Sequence, residues 1–116
     1  MAYTTRVARR FITVAETPLF IRQAQDVWAD ADREAFIEFI AQNPGEGDLI
    51  PETGGVRKIR WIRPGSGKRG GARVIYFYHG GDRPLYLLMV YAKARQENLT
   101  AEEKKIVRKL AAILKS

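Results

Sequence analysis

The feature that most constrains this chain lies between Val56 and Lys93, where three runs rich in β-formers follow one another across short, glycine-bearing links. VRKIRWIR (56–63) and ARVIYFYH (72–79) are separated by PGSGKRGG (64–71), and Gly80-Gly81-Asp82 turns the second run toward PLYLLMVYAK (84–93). Links of this kind bring the chain back beside itself, so consecutive runs pair antiparallel. Such a sheet must bury a face, and the flanking sequence supplies helices to cover it. Downstream, Leu99-Thr100-Ala101-Glu102-Glu103 carries a capping box, with Thr100 as N-cap and Glu103 at N3. Ile106, Val107, Leu110, Ile113 and Leu114 recur at helical spacing and are expected to form one buried stripe. Lys109 and Lys115 sit near the negative end of that helix dipole.

Upstream, residues 8–15 (ARRFITVA) read as a short first strand. Thr17 before Pro18 reads as an N-cap and first helical position, opening a helix to about Trp28 with Leu19, Phe20, Val27 and Trp28 as its apolar side. A second helix restarts at Asp30 or Asp32, buries Phe36, Ile37, Phe39 and Ile40, and stops at Asn43-Pro44-Gly45. GEGDLIPETGG (45–55) is expected to be a turn-rich connection. The predicted fold is α+β: a small antiparallel sheet with two helices in the N-terminal half and one at the C-terminus, in the order β-α-α-β-β-β-α. At 116 residues the chain makes a single domain, 1–116.

Charge singles out one segment. The formal net charge is +7. Arg57, Lys58, Arg60, Arg63, Lys68, Arg69 and Arg73 fall in a stretch without an acidic residue, and outside it basic and acidic residues cancel. A neutral body with one basic stripe is the footprint of a polyanion binder, whereas a face charged only for solubility mixes signs. Cysteine is absent, so disulfides, thiolate metal sites and cysteine nucleophiles are excluded. His79 is the lone histidine, which excludes a two-histidine zinc site. No metal or cofactor is expected. No apolar run approaches the roughly 20 residues of a membrane helix. The start, MAYTTRVARRFITVAE, lacks the apolar stretch of a secretory signal, so a cytoplasmic protein is expected.

Strand alternation sorts the stripe. In 56–63, Ile59 and Trp61 share a face with Arg57 and Arg63, which leaves Lys58 and Arg60 pointing together off the other. Arg73 opens the next run across the loop, and Tyr91 and Lys93 share a face at the end of the third. Lys58, Arg60, Arg73, Tyr91 and Lys93 would thus present fixed cations and a phenol on one surface. Fixed cations stabilise a developing phosphorane, and lysine or tyrosine can move a proton. Arg57, Arg63, Lys68 and Arg69 are expected to hold RNA backbone through charge. Tyr76, Tyr78 and Tyr86 are read as sheet packing, and His79 as a hydrogen-bonded edge residue. Gly65-Ser66-Gly67-Lys68 is not a P-loop, because Ile62 and Arg69 stand where that pattern needs glycine and serine or threonine.

TGGVRKIRW, GKRGGARVIYFY and PLYLLMVYAKARQENLTAEEK together resemble the HigB-type branch of the RelE toxin superfamily, closely from about Gly45 onward and only in layout before it. The resemblance implies a bacterial, cytoplasmic toxin of a toxin–antitoxin pair. Such a toxin is a ribosome-dependent endoribonuclease that cuts mRNA in the A site beside 16S rRNA by attack of the 2′-hydroxyl on the adjacent phosphate. It also implies a cognate antitoxin, commonly of helix-turn-helix type. By position, Lys58 and Arg60 match the family's basic pair before the loop, Arg73 its arginine after the loop, and Tyr91 and Lys93 its strand end. Lys58 is a candidate for proton transfer and Arg73 for transition-state stabilisation. Ala94 and Thr100 stand where the best-known members carry arginine and tyrosine, which leaves the general base open among Tyr91, Lys93 and Lys58. The free toxin is expected to be a monomer. Two alternatives share these features: a ParE-like gyrase poison that cuts nothing, and a non-catalytic RNA- or DNA-binding module.

Overall fold

A computed structural model describes residues 12–62 and 71–116. In chain order the elements are β1 (Val14–Glu16), α1 (Pro18–Val27), α2 (Asp30–Gln42), β2 (Asp48–Leu49), β3 (Val56–Trp61), β4 (Ala72–Tyr78), β5 (Leu85–Ala92) and α3 (Ala101–Lys115). The three strands expected from alternation form β3, β4 and β5, each antiparallel to the next. The fold is α+β as expected, with two differences in the sheet.

The five strands run in the order β1-β5-β4-β3-β2. β1 lies parallel to β5, with Val14 opposite Leu85 and Glu16 opposite Leu87, so the sheet is mixed rather than antiparallel throughout. One side of β5 is already taken by β4, and β1 adds at the other. Residues 8–11 of the expected first strand lie outside the described residues. The second difference is β2, within the stretch expected to be only a connection. It pairs antiparallel with β3, Asp48 opposite Lys58. The return between them is fixed by buried Thr53, whose hydroxyl donates to the Ile50 carbonyl at 2.7 Å and accepts from the Val56 N–H at 3.1 Å. Gly55 completes the return at φ +112°, where a side chain is strained and its Cβ would press on Phe77 at 3.3 Å.

Helices cover both faces. Phe20 and Ala24 of α1 and Phe36 and Ile40 of α2 pack on Ile59, Val74, Tyr76, Leu85, Leu87 and Val90. On the other face Val107 and Ala111 of α3 pack on Val56, Ile75, Phe77, Leu88, Met89 and Tyr91. The capping signals act as read: Thr17 accepts from the Phe20 N–H with Pro18 behind it, and Thr100 and Glu103 form the reciprocal box. Leu19, expected on the apolar side, is exposed, and Ala24, which was not, is buried in the α1 core, where a small residue lets the helix approach the sheet.

The α3 stripe is narrower than its periodicity suggested. Val107 and Ala111 are buried and Leu114 packs at the edge, whereas Ile106, Leu110 and Ile113 are exposed, Ile113 by 67%. The helix meets the sheet along one margin of a wide apolar arc. Val107→Ala is therefore expected to cost about 2 kcal/mol. Ile113→Ala should stay within about 0.5 kcal/mol. Urea denaturation with unchanged m-values checks the pair, and equal losses would contradict this packing.

β5 carries the irregularity that matters most for the site. Its register with β4 steps from Tyr76↔Leu87 to Ile75↔Met89, leaving Leu88 without an opposite residue. An inserted residue reverses alternation beyond it. Leu85 and Leu87 face α1 and α2, but Met89 and Tyr91 face α3. The backbone of the bulge is tied to the first helix. Thr17 Oγ1 donates to the Leu87 carbonyl at 2.8 Å, and the Val90 N–H donates to Gln23 Oε1 at 3.0 Å.

Candidate active site

Pairing aligns the site. Arg60 of β3 stands opposite Arg73 of β4, which stands opposite Tyr91 of β5. Lys58, two residues before Arg60 on β3, shares their face. Two arginines directly opposed across a ladder repel one another, an arrangement that favours an anion between or beside them. In this structure the anion is Glu97, from the segment between β5 and α3. Arg73 Nε donates to Glu97 Oε2 at 3.1 Å and Arg73 Nη2 to Oε1 at 3.4 Å. The arginine side chain is only 5% exposed while that of Glu97 is 50% exposed, so a cation held in the sheet presents its fork to a carboxylate at the surface.

The same short segment gathers two further side chains. Lys58 Nζ donates to Asn98 Oδ1 at 2.6 Å and to the Glu97 carbonyl at 3.3 Å. The Tyr91 hydroxyl donates to that carbonyl at 3.3 Å. Burial pushes the Tyr91 phenol up to about 12, the nearby Glu103 carboxylate pushes the same way, and Arg73 opposes them. The phenol is thus neutral and proton-bearing at physiological pH. Hydrogen bonding from Arg73 holds the Glu97 carboxyl below the usual carboxylate range, helped by the positive charges of Arg73, Lys58 and Lys93.

The structure thus places Lys58, Arg73 and Tyr91 around one segment, with Arg60 exposed at the edge of the row. Lys93 lies just past β5 in an exposed turn and acts on the cluster through its charge. Arg57 is not brought here. It shares the face of Ile59 and donates instead to the carbonyls of Gly47 at 2.6 Å and Gly45 at 3.3 Å. Arg63, Lys68 and Arg69 lie outside the described residues. His79 is exposed, with its ring stacked on Phe77 at a centroid distance of 6.3 Å. The Tyr76 hydroxyl accepts from the Gly47 N–H at 2.8 Å and donates to the Pro44 carbonyl at 2.9 Å, a structural role.

Sequence reasoning missed Glu97 and Asn98. The available signal was a carboxylate in the short stretch from Lys93 to Thr100, where the other charged residues are Lys93 and Arg95, between a strand end and an N-cap.

The family model described as the RelE toxin of the RelE/RelB toxin–antitoxin system matches residues 13–116. The chain belongs to the RelE toxin family. As a RelE-family protein it is the toxin of a toxin–antitoxin system, and a cognate antitoxin is its implied partner. Among the described residues no helix is long and apolar enough to cross a membrane. The RelE cluster offers donors suited to an anionic ligand: a buried bidentate guanidinium, an ammonium and a phenol on one side of a rigid sheet.

Proposed function

We propose that this RelE-family toxin is a ribosome-dependent endoribonuclease of the HigB type that cuts mRNA in the A site and so arrests translation. The observation that carries the reading is the row of Arg60, Arg73 and Tyr91 with Lys58 beside it, all on one face. Cleavage proceeds by attack of a 2′-hydroxyl on the adjacent phosphate. Arg73 and Arg60 stabilise charge building on the phosphoryl oxygens, and such donors act strongly because the sheet holds them in place. Lys58, an ammonium with protons to give and no acceptor lone pair, protonates the leaving 5′ oxygen. Tyr91 donates a hydrogen bond, and Lys93 adds charge. Arg63, Lys68 and Arg69 add positive charge that attracts RNA and 16S rRNA. The free toxin acts as a monomer in the bacterial cytoplasm, and an antitoxin of helix-turn-helix type neutralises it.

The test is a translation reaction with ribosomes and a defined message, cuts being mapped by primer extension beside the same message without ribosomes. Cuts only in the ribosome tube are expected. Their absence from both tubes, with a protein that still arrests growth, would replace this reading with gyrase poisoning.

A further inference from the structure

The proposed chemistry needs a group that takes the 2′-hydroxyl proton, and Lys58 and Tyr91 both serve as hydrogen-bond donors in this structure. Lys58 spends its protons as a donor to Asn98 and to the Glu97 carbonyl. Tyr91 is a buried phenol donating to the same carbonyl. The ionised acceptor that lies within the cluster is the Glu97 carboxylate, carried by an exposed residue and resting on Arg73.

We propose that Glu97 is the general base of the reaction, held on Arg73 in the free toxin and released toward the 2′-hydroxyl when the scissile phosphate takes its place on that guanidinium. The assignment rests on the nuclease reading given above. Carboxylate and phosphate oxygens bind the arginine fork in the same bidentate way, so the two compete for one set of donors. The exchange also tunes the base. While paired, Glu97 faces Arg73 from β4, Lys58 from β3 and Lys93 beyond β5, and these hold its proton affinity down. A phosphate on Arg73 removes the strongest of these contacts and adds a negative charge nearby, both of which raise it. Base strength thus appears when substrate is present. The segment suits such a movement, because its side chain is half exposed while its backbone carbonyl is pinned by Lys58 and Tyr91.

The step balances within the site. The 2′-O–H proton passes to the Glu97 carboxylate as the 2′-oxygen bonds to phosphorus. The bond from phosphorus to the 5′-oxygen breaks, and that oxygen takes a proton from Lys58. A 2′,3′-cyclic phosphate and a 5′-hydroxyl result, and water resets both protein groups.

The experiment compares wild type, Glu97→Gln and Glu97→Asp in single-turnover cleavage of a defined message on ribosomes across pH. Binding is measured beside it, to ribosomes carrying the same message with a 2′-deoxynucleotide at the cut. Glu97→Gln is expected to cut about 100-fold more slowly or worse. It should lose the fall in rate that wild type shows toward acid pH, yet bind the deoxy message at least as tightly, since a neutral amide competes less well for Arg73. Glu97→Asp should retain part of the rate. A Glu97→Gln variant that cuts as fast as wild type, or faster, overturns the assignment and leaves Glu97 as an occupant of Arg73 only. Lost binding by Glu97→Gln also overturns it, since Glu97 would then serve to hold the site together. If wild type itself cuts nothing on ribosomes, the nuclease reading fails, and the base assignment with it.

Discussion

Replacing Arg73 with alanine is expected to reduce ribosome-dependent cleavage by at least about 1000-fold and to abolish growth inhibition, while the protein remains folded. The magnitude is at the upper end for removing one preorganised donor to a developing oxyanion, because Arg73 supplies two N–H groups from a position that is 4% exposed. The fold should survive. Arg73 lies opposite Arg60, so its removal relieves a like-charge pair across the ladder, and the Glu97 left behind is half exposed and can hydrate. Arg73→Lys keeps the charge without the fork and should recover only a small part of the activity. Growth assays and primer extension check the function, and far-ultraviolet circular dichroism checks the fold. A folded Arg73→Ala protein that stays fully toxic would falsify the assignment of this row as the working surface.

Phe36→Ala should produce the largest loss of stability of any single change considered, about 3–5 kcal/mol. Phe36 is fully buried and its ring lies 5.5 Å from both Trp28 and Trp61. Truncation leaves a cavity between α2 and the sheet and costs a large share of the roughly 5–15 kcal/mol that a domain of this kind holds in total. The chain has two tryptophans, and both pack on this ring, so their fluorescence reports the event directly. Urea titration followed by tryptophan emission should show the midpoint falling steeply. A loss below about 1.5 kcal/mol would mean that the site collapses around the cavity and that this aromatic cluster contributes less than its burial indicates.

What the sequence made legible is local. Thr17-Pro18 and Thr100 with Glu103 announce helix starts because a cap is satisfied within a few residues of itself. The separation of Lys58 and Arg60 from Ile59 and Trp61 follows from a two-residue period that nothing in β3 interrupts. Tyr91 reached the expected face by a different route. Its position depends on the bulge at Leu88, and a leucine among leucines gives no sign that alternation reverses there. The partner of β1 and the existence of β2 depend on which edges remain open once β3, β4 and β5 have paired, which is a property of the assembled sheet. The surplus apolar residues of α3 mark a helix without showing how wide a margin the sheet will cover. Glu97 sits in a connecting segment, and its importance emerges only when the direction of the Arg73 guanidinium is known.

The parallel join between β1 and β5 sets an order of events during synthesis. Val14 emerges early, yet the residue it pairs with is Leu85, and the bulge that aims Tyr91 is fastened by Thr17 and Gln23 from the same early stretch. Pairings this distant must wait for the intervening chain, and they slow the closing of a sheet. A nascent toxin therefore leaves its working surface unfinished until most of the chain has been made. On the ribosome-directed reading proposed above, the ribosome producing it meets no finished working surface for as long as β5 is still to come.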